Sequence, residues 1–396
     1  MNRSALVLVL VASSSCRERD TAHAEARSAV SGTLAAAASP TPVPGGSATS
    51  RPEAPSGSAS GAVPAASSAA PPPWPAKVDF VEPAMGTEVH FVSYVTPKLD
   101  EDAIREAMKK AHAEIVRIEN LMTSWRDTSE IGQINLGAGH PVKVSAETIE
   151  VLKKSRWAGD ISEGVFDITF HALGDLWKFG DAAEQNPKLP DPGTVRARKK
   201  LVDYRKVEID AEAHTVTLPA KMKIDLGGIA KGYAVDGAAA VLRAAGLTDF
   251  LAQAGGDLYG AGRKPDGSPW VSGIQDPRGP RGDFFATIEL TNHAFSTAGD
   301  YARFFFVGGK RYHHIIDPRT GYPATACRSV TVWAGDAFTA DAVDDAVFIL
   351  GPEKGLALIE SLPDVGAVVV DQANKVWVSK RLEGKVHVSR APTDGP

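Results

Sequence analysis

The chain has 396 residues, of which 23% are charged, and its formal net charge is -5 at pH 7. The longest run of lysine and arginine is only three residues, Arg198-Lys199-Lys200, which argues against nucleic acid as a partner. The chain has 2 cysteines, no C-x-x-C, no H-E-x-x-H and no histidine cluster with zinc spacing, which excludes a disulfide scaffold and the familiar zinc sites.

Residues 1–16 predict an export signal. Arg3 supplies a positive start, residues 5–12 form the short apolar run ALVLVLVA, and small residues lead into Cys16. This order is typical of a bacterial lipoprotein signal, in which Cys16 becomes a lipidated N-terminus on the periplasmic side of the envelope. Ser13 stands where such signals usually carry leucine, so secretion with cleavage nearby is the alternative. The apolar run is too short to span a bilayer.

Residues 17–73 predict a flexible tether, and residues 74–396 predict one folded body. Ala, Ser, Pro and Gly dominate the tether and aromatic residues are absent from it, so it cannot bury enough apolar surface to fold. The body is long enough to bury a large core.

Strands and helices alternate irregularly along the body, which predicts a mixed α/β (α+β) fold. The expected strands are 89–94, 207–209, 215–218, 224–226, 251–252, 270–274, 285–290, 329–333, 366–370 and 375–379, with a further strand that runs into a Pro/Gly turn over 311–323. The expected helices are 100–122, a short one that ends at Asn135, 146–158, one that starts at Ile229, 337–350 and 352–361.

Periodicity and capping residues support three of these helices. The helix over 100–122 places one apolar face inward, made of Ile104, Met108, Ala111, Ile115, Ile118 and Met122. Ser145 is the expected N-cap of the helix that follows it, and Thr128 or Ser129 caps the short helix.

The central stretch, residues 223–262, reads as strand, double-glycine turn, helix, strand and a second double-glycine turn. Gly227-Gly228 feeds the helix from Ile229, whose apolar face is expected to carry Tyr233, Gly237 and Val241. Free backbone N–H groups at such a turn suit a phosphate, and Asp225 and Lys231 flank it. The alternative is an ordinary strand–turn–helix corner, because the stretch has neither P-loop spacing nor the order G-x-G-x-x-G.

The helix over 337–350 carries Asp341, Asp344 and Asp345, which the spacing i, i+3, i+4 brings to one face. These carboxylates are either a solvated acidic face in the half of the helix where the dipole favours negative charge, or a cation site. Oxygen-only ligands favour Mg²⁺ or Ca²⁺ over zinc.

Taken together, these segments resemble the ApbE family, the FAD:protein FMN transferases of bacterial envelopes. The resemblance covers residues 85 to about 354 and depends on motifs in the family's order. They are M-G-T (85–87), the block from Met122 to Asn135, G-x-F-D (164–167), D-L-G-G-x-A-K-G-Y-A-x-D (225–236), G-G-D (255–257), S-x-x-G-D-Y (296–301), H-I-I-D-P-x-T-G-x-P (314–323) and S-V-T-V from Ser329 followed by A-D-A.

The resemblance implies a fold of mixed sheets flanked by helices and a Mg²⁺-dependent transfer. FMN passes from FAD to a threonine of an acceptor protein as a phosphoester, with release of AMP. In the family, acceptors are subunits of membrane redox complexes, such as the sodium-pumping NADH:quinone reductase and Rnf-type complexes, or other FMN-binding domains.

The resemblance also implies roles for individual residues. The FAD site would be lined by Met85, Trp125, Val165, Phe166, Asp167, Asp225, Lys231 and Ile315, with Trp125 covering a ring of the ligand. A backbone carbonyl near Gly228 or Ala230 would join Asp341 on the metal, and Asp344 and Asp345 would add carboxylates. His314 would act in transfer as base or phosphate ligand, and the neighbouring His313 is expected at the surface because strand residues alternate in direction.

Asp345 departs from the family's pattern, which generally has threonine there. Another carboxylate could tighten the cation, change its identity or favour simple cleavage of FAD. The alternatives are therefore a Mg²⁺-dependent FAD pyrophosphatase that gives FMN and AMP, and a flavin-binding lipoprotein without turnover. A solute-binding protein with an acidic metal helix explains none of the ordered motifs.

Overall fold

The computed structural model describes residues 75–395, so the predicted export signal and tether lie outside the described part of the chain. The helices are α1 (Glu101–Met122), α2 (Glu130–Leu136), α3 (Ala146–Ile161), α4 (Asp181–Gln185), α5 (Pro192–Lys199), α6 (Ala230–Ala244), α7 (Ala337–Leu350) and α8 (Pro352–Ser361). Short 3-10 helices span Ile168–Leu173, Tyr204–Lys206 and Lys380–Leu382.

The strands up to the middle of the chain are β1 (Lys77–Ala84), β2 (Thr87–Tyr94), β3 (Pro141–Lys143), β4 (Glu208–Asp210), β5 (Thr215–Thr217), β6 (Phe250–Ala254), β7 (Asp257–Ala261), β8 (Trp270–Gln275) and β9 (Phe284–Leu290). Those that follow are β10 (His293–Gly299), β11 (Phe304–Val307), β12 (Lys310–His313), β13 (Ile316–Asp317), β14 (Tyr322–Pro323), β15 (Cys327–Ala334), β16 (Val365–Asp371), β17 (Val376–Val378) and β18 (Val386–Val388).

A main sheet of eight strands organises the body, in the order β1-β2-β6-β7-β10-β15-β16-β17. All of its neighbouring strands are antiparallel. Smaller sheets have the orders β18-β9-β8 and β3-β5-β4, and β11–β12 and β13–β14 form two-stranded sheets. Helices and antiparallel sheets together confirm the expected mixed α/β fold.

The main sheet is covered on both faces because successive strand residues point to opposite sides. Along β6, Phe250 and Ala252 pack into a core shared with α1, α6 and α7, whereas Leu251 packs into a second core. The second core also holds Trp270 and Phe285 of the sheet β18-β9-β8. The three helices thus occupy one face of the main sheet, and the small sheet occupies the other.

Local signals in the sequence located several helices correctly. All six apolar residues expected on the inner face of α1 are buried. Ser145 caps α3 by accepting the Thr148 N–H at 3.2 Å, and Ser129 rather than Thr128 caps α2 by accepting the Gly132 N–H at 2.8 Å. The bounds predicted for α7 and α8 are those observed.

The expected strand over 224–226 is wrong. This segment is irregular because the Asn135 side chain binds both backbone groups of Ile224. Its Oδ1 accepts the Ile224 N–H at 2.7 Å, and its Nδ2 donates to the Ile224 carbonyl at 2.9 Å. These bonds satisfy the backbone without a neighbouring strand. In addition, the helices α4 and α5 and the strands β1, β3, β7, β10, β11 and β18 were not expected, although β7 and β10 lie in the middle of the main sheet.

The buried face of α6 also differs from the prediction. Ile229 is buried, but Tyr233, Gly237 and Val241 are only half-buried. The buried face instead carries small residues and one leucine: Ala230, Gly232, Ala234, Val235, Ala238, Ala239 and Leu242. Small side chains let α7 approach closely, since a Cβ on Gly232 would lie 2.2 Å from the carbonyl oxygen of Ala337.

Cys327, on β15, is fully buried. Burial raises the pKa of its thiol to about 12, so the thiol is protonated at neutral pH. Among residues 75–395, no helix is both long and apolar enough to cross a bilayer.

Candidate functional site

A buried ion-pair centre forms where α6 and α7 meet the start of β7. Lys231, in the first turn of α6, places its Nζ 2.9 Å from Asp257 Oδ2 and 3.3 Å from Asp341 Oδ1. The other oxygen of Asp341 accepts the backbone N–H of Gly232 at 2.8 Å. Asp257 and Asp341 are almost fully buried. One cation therefore faces two carboxylates where the N-terminus of α6 begins.

The other two carboxylates of α7 point to different neighbours. Asp344 accepts the Ser296 hydroxyl of β10 at 2.6 Å. Asp345 lies against the double-glycine turn, where a Cβ on Gly228 would be 3.0 Å from Asp345 Oδ2. Glycine at position 228 therefore leaves room for a carboxylate beside the backbone. The acidic residues of α7 are not a solvated face, because Asp341 and Asp344 are buried.

The pKa values of these carboxyl groups are raised. Burial, followed by the charge of Asp257, raises the pKa of Asp341 to about 7, despite the opposing effect of Lys231. Burial raises the pKa of Asp345 to about 6. Burial and the charge of Asp345 raise that of Asp344 well above its usual range. Lys231 alone therefore does not compensate the four acids around it, so uptake of a proton or of a further cation is favoured there.

These residues suit a hard divalent cation through their chemistry but do not form a finished metal cage. Within the part of the chain that the structure describes, no group of three or more His, Cys, Asp or Glu side chains is arranged to hold a metal ion. The donors present are carboxylate oxygens, which Mg²⁺ prefers, and Mg²⁺ commonly completes its shell with water and substrate phosphate. The Oδ1 atom of Asp257 is buried and accepts no hydrogen bond from the described residues. The donor set therefore fits Mg²⁺ held jointly with a phosphate ligand.

The segment before α6 is held by contacts to distant parts of the chain. The Asp225 N–H donates to the carbonyl of Ile168 at 2.9 Å, and its Oδ1 accepts the Gly227 N–H at 2.7 Å. The hydroxyl of Ser124 donates to its other oxygen, and His171 Nδ1 lies 3.9 Å from the same oxygen. Asp225 is thus part of a hydrogen-bonded group at the turn, and not an isolated carboxylate.

The loop 165–167 lies next to the same turn. A Cβ on Gly228 would be 3.5 Å from Cε2 of Phe166, so the Phe166 ring faces the glycine turn. Val165 is buried beside it in the main core. Asp167 is already engaged, because its Oδ1 accepts the Thr169 N–H at 2.8 Å and its Oδ2 accepts the Tyr204 N–H at 3.0 Å. Asp167 therefore fixes the shape of the loop.

Met85, Trp125 and Ile315 have very different environments. Met85 has a positive φ of 51° in the β1–β2 turn, and its N–H donates to Glu119 Oε2 at 2.9 Å. Trp125 is 83% exposed, which leaves its ring free to stack on a planar ligand. Ile315 is buried, and its N–H donates to His313 Nδ1 at 3.3 Å.

The burial of the two adjacent histidines, His313 and His314, differs from the alternation expected along a strand. His313, which was expected at the surface, is buried: its Nε2 donates to the carbonyl of Ala324 at 2.8 Å, and its ring packs edge-on against Phe348. The prediction is wrong because β12 packs against α7 at this point. His314 is half-buried, and its Nδ1 accepts no hydrogen bond from the described residues.

The His314 ring is neutral at pH 7. Burial, followed by the charge of Arg303, lowers its pKa well below the usual range, and Lys231 adds to this effect. A neutral imidazole with an unpaired nitrogen can accept a proton.

Sequence reasoning missed several members of this site. Asp257 and Ser296 belong to motifs that resemble the family's, G-G-D and S-x-x-G-D-Y, but no site role was predicted for either. Ser124 and His171 flank Asp225 without a motif that predicts the contact. Ser124 lies in the quoted block from Met122 to Asn135, which gives no partner for it, and residue type is the only signal for His171. Both contacts join residues more than forty positions apart in the chain.

Comparisons with known proteins identify relatives of this chain. The chain is 32% identical over 289 residues to a FAD:protein FMN transferase of Haemophilus influenzae, covering 70% of this chain and 81% of that protein. It is 32% identical over 302 residues to one of Treponema pallidum, covering 72% of this chain and 82% of that protein.

Solved structures of ApbE proteins are also similar to this chain. An ApbE protein of Thermotoga maritima superposes with a TM-score of 0.71 at 32% identity, covering 78% of this chain and 99% of that one. The flavin transferase ApbE of Vibrio cholerae gives 0.68 at 27% identity, with the same two coverages. The model of the ApbE family matches residues 85–369. The chain therefore belongs to the ApbE family.

Proposed function

We propose that this protein is a Mg²⁺-dependent FAD:protein FMN transferase that attaches FMN through a phosphoester to a threonine of an acceptor protein and releases AMP. The observation that carries the proposal is the buried centre of Lys231, Asp257 and Asp341 beside the glycine turn. It combines a fixed cation, excess carboxylates and a helix N-terminus, which is what a pyrophosphate with its metal requires. Relatives that share this body are named FAD:protein FMN transferase.

The residues around the centre would bind and orient FAD. The half-buried ammonium of Lys231 would neutralise a phosphate oxygen, and Asp257 and Asp341 keep that ammonium in place. The exposed ring of Trp125 would stack on one of the ligand's ring systems. Phe166, Met85 and Ile315 supply apolar surface, and Asp225 supplies an acceptor held by Ser124.

Asp341 and Asp345, with a backbone carbonyl near Gly228 or Ala230, would hold Mg²⁺. When bound, Mg²⁺ would neutralise charge that develops on the pyrophosphate. Asp344, which accepts a hydrogen bond from the Ser296 hydroxyl, would add a further carboxylate beside these metal ligands.

His314 would accept the proton of the attacking hydroxyl. Its ring is neutral, its Nδ1 is unpaired among the described residues, and Arg303 and Lys231 lie close enough to lower its pKa. A neutral imidazole with an unpaired nitrogen is able to accept this proton, although burial and the neighbouring cations weaken it as a base.

A Mg²⁺-dependent FAD pyrophosphatase is the second candidate, and Asp345 is the observation that favours it. Its carboxylate stands 3.0 Å from where a Gly228 Cβ would be, close enough to the turn to orient water as well as a cation. The two reactions use the same bound FAD and differ in whether water or threonine attacks.

One experiment separates these functions. The full-length protein is incubated with FAD and Mg²⁺, with or without an FMN-accepting domain, and AMP and the mass of the acceptor are followed. The transferase predicts AMP together with an FMN-sized gain on the acceptor. AMP at the same rate with and without acceptor indicates the pyrophosphatase, and bound FAD without AMP indicates a flavin carrier. The variant Asp341→Ala is expected to abolish Mg²⁺-dependent AMP release, and unchanged release would remove α7 from the mechanism.

We further propose that the protein acts on the periplasmic side of the envelope, tethered through a lipid on Cys16 by residues 17–73. Its acceptor would be a subunit of a membrane redox complex or another FMN-binding domain. The support is the order of charge, apolar run and small residues before Cys16.

A further inference from the structure

The segment that follows β18 crosses the loop between β8 and β9. Strand β18 pairs with β9, and Ser389 continues this contact, because its N–H and its hydroxyl both donate to the carbonyl of Phe285 at 2.9 Å. Residues 389–394 are called the strap below. They lie outside residues 85–369, which match the family model, so the match assigns them no role.

The strap binds one buried carboxylate, Asp276, at the start of that loop. The Oδ2 atom of Asp276 accepts Arg390 Nη1 at 2.6 Å, the Thr393 N–H at 2.9 Å and the Thr393 hydroxyl at 2.8 Å. Its Oδ1 atom accepts the N–H groups of Arg278 and Gly279, at 3.0 Å and 3.1 Å. Although burial favours the neutral acid, hydrogen bonds from the strap and the loop hold the pKa of Asp276 below its usual range. An ionised Asp276 therefore joins the strap to the loop.

The side chain of Arg278 connects this loop to the segment that follows β10. Its guanidinium forms a two-point ion pair with Asp300, in which Nη1 lies 2.6 Å from Oδ1 and Nη2 lies 2.8 Å from Oδ2. The Arg278 side chain is 7% exposed and that of Asp300 is 2% exposed. A fork of two hydrogen bonds fixes the orientation of a carboxylate as well as its distance. Arg278 thus holds Asp300 in one place, and Asp276 holds the backbone of Arg278.

Residues 300–303 form the turn between β10 and β11. The ring of Tyr301 folds over the start of this turn, since a Cβ on Gly299 would lie 2.4 Å from Tyr301 Cε1. At the other end of the turn, the Arg303 carbonyl accepts the His314 N–H at 3.1 Å. The position of the turn therefore decides where the backbone of His314 is held.

We infer that the strap positions His314 for transfer by holding Asp276. Asp276 acts through the ion pair of Arg278 with Asp300 on the turn that binds the base. These three are positioning residues, because they act on His314 through the turn. Displacing a catalytic group by about 1 Å can cost a large factor in rate. This inference rests on the proposed transfer, and it adds residues outside the candidate site on which the rate of transfer depends.

The backbone of Arg303 also affects the basicity of His314. Burial and the charge of Arg303 lower the pKa of the His314 ring, and the charges of His313 and Lys231 add to this effect. The hydrogen bond with the Arg303 backbone opposes them and raises the pKa. If the turn moved away, the pKa of His314 would fall further and the ring would be a weaker base.

The test compares a strap variant with a matched control, both in the full-length protein. The strap variant combines Arg390→Gln with Thr393→Val, which removes the side-chain bonds to Asp276. The control combines Arg105→Gln with Thr96→Val. There, Arg105 also pairs with a carboxylate at 2.8 Å, and the Thr96 hydroxyl also bonds nearby backbone.

The acceptor is a flavin-free FMN-binding subunit of a sodium-pumping NADH:quinone reductase. The kcat of transfer, KM for the acceptor, affinity for FAD and urea unfolding are measured, and the kcat is followed from neutral to acid pH. The strap variant is expected to lower kcat about tenfold, because the base is displaced. KM for the acceptor and FAD affinity should stay as in the wild type, and the control should match the wild type throughout.

The pH profile separates positioning from stability. The pH below which the strap variant loses transfer should be lower than in the wild type, because the pKa of His314 falls. A protein that is merely destabilised would lose transfer at a higher pH, because Asp276 takes up a proton more readily without its partners. The substitution Arg390→Lys alone should keep most of the rate, since an ammonium group can still bind Asp276.

Arg278→Lys tests the same connection at its next step. Lysine keeps the charge beside Asp300 but cannot form the planar fork, so kcat should again fall about tenfold with FAD affinity unchanged. Combined with the strap variant, the loss should stay well below about a hundredfold, because both changes act through one turn. Losses that multiply would place the strap outside this path and overturn the inference.

A strap variant with the wild-type kcat and pH profile would overturn the inference and leave the proposed function standing. Equal losses of kcat and FAD affinity, with transfer lost at a higher pH, would assign the strap to stability alone and also overturn it. If the strap variant does not fold, its two single substitutions are measured in its place and judged in the same way. A wild type that binds FAD but does not modify the acceptor overturns the transferase and, with it, this inference.

Discussion

Lys231 links the stability of the body to its chemistry. The two carboxylates within reach of its ammonium, Asp257 and Asp341, are almost fully buried, so the ammonium group compensates charge that has lost its contact with water. A cation in this position supports the fold and can also bind an anionic ligand. Replacing Lys231 should therefore affect both the stability of the fold and the binding of an anionic ligand.

Lys231→Ala is expected to reduce the free energy of unfolding at pH 7 by about 3 kcal/mol, because two buried carboxylates would lose their partner. It should also abolish AMP release. Denaturant unfolding and the FAD assay measure the two effects. Glu353→Gln, at an exposed position in the first turn of α8, is the control. Loss of activity without loss of stability would mean that Lys231 serves only the ligand.

His314→Ala is expected to lower the rate of transfer by about 100-fold while the affinity for FAD changes little, since general base catalysis typically contributes that much. Single-turnover transfer and flavin fluorescence give the two values. The neutral state of the ring predicts a transfer rate that does not fall between pH 8 and the usual histidine pKa. Equal losses in rate and affinity would assign His314 to binding.

At the scale of elements, the site depends on how closely α6 and α7 pack. Gly232 brings the two helices together, since a Cβ there would lie 2.7 Å from the Cβ of Asp341. Asp236, one turn later on α6, accepts the N–H groups of Ala337 and Phe338 at 3.0 Å and 2.9 Å. A side chain of α6 therefore satisfies the first turn of α7 and fixes where Asp341 and Asp345 stand.

Asp236→Asn is expected to reveal a pH-dependent contribution to stability. Burial raises the pKa of Asp236 to about 6 from its ordinary 3.8; Asp336 adds to this shift and Arg243 opposes it. The folded state then binds more protons than the unfolded state between these values, so the contribution is present below the ordinary pKa and is lost as pH rises through about 6. The wild type should therefore lose about 2 kcal/mol relative to Asp236→Asn between pH 4 and pH 7.

Urea unfolding of both proteins across this pH range measures the difference, and other titrating groups cancel because the two chains share them. A difference that stays constant with pH would mean that Asp236 is ionised in both states. A difference that grows in favour of the wild type at higher pH would reverse the sign given above.

At the scale of the whole molecule, the main sheet separates the candidate site from the second hydrophobic core. The helices that hold the site pack on one face, and the sheet β18-β9-β8 packs on the other. Substitutions in the second core should therefore lower the stability of the fold more than they change FAD binding or AMP release.

Cys16→Ser is expected to move the protein from the membrane fraction to the soluble fraction, because a single lipid site is the only anchor that the leader predicts. Fractionation of cells with antibody detection measures this. The change Ser15→Ala serves as the control and should leave the distribution as it is. Persistence of Cys16→Ser in the membrane fraction would contradict the lipoprotein prediction.

The sequence was informative where structure is decided locally. Caps such as Ser145, the apolar face of α1 and the bounds of α7 depend on residues within a few positions of one another, and all were predicted. The segment 224–226 was not, because its irregular form depends on Asn135, 89 residues away in the chain. The predicted exposure of His313 was wrong for the same reason, because alternation along a strand does not reveal that α7 covers this side chain.

The candidate site shows the same limit. Lys231 and Asp341 were predicted because the resemblance to a family connects segments that local rules treat separately. Asp257, which also holds Lys231, lay in a quoted motif without a role, because no spacing rule places β7 beneath α6. The two faces of the hairpin formed by β11 and β12 were equally hidden, since Phe304, Phe305 and Phe306 look alike in the sequence and differ only in the side to which they point.

The burial of Cys327 makes the described body inert toward thiol reagents. With a protonated and inaccessible sulfur as the only cysteine between residues 75 and 395, any cysteine introduced at the surface becomes a unique attachment point. A fluorophore on Lys310→Cys, an exposed position beside the turn between β11 and β12, would therefore be the single label on the body. No background labelling of the body would need to be subtracted.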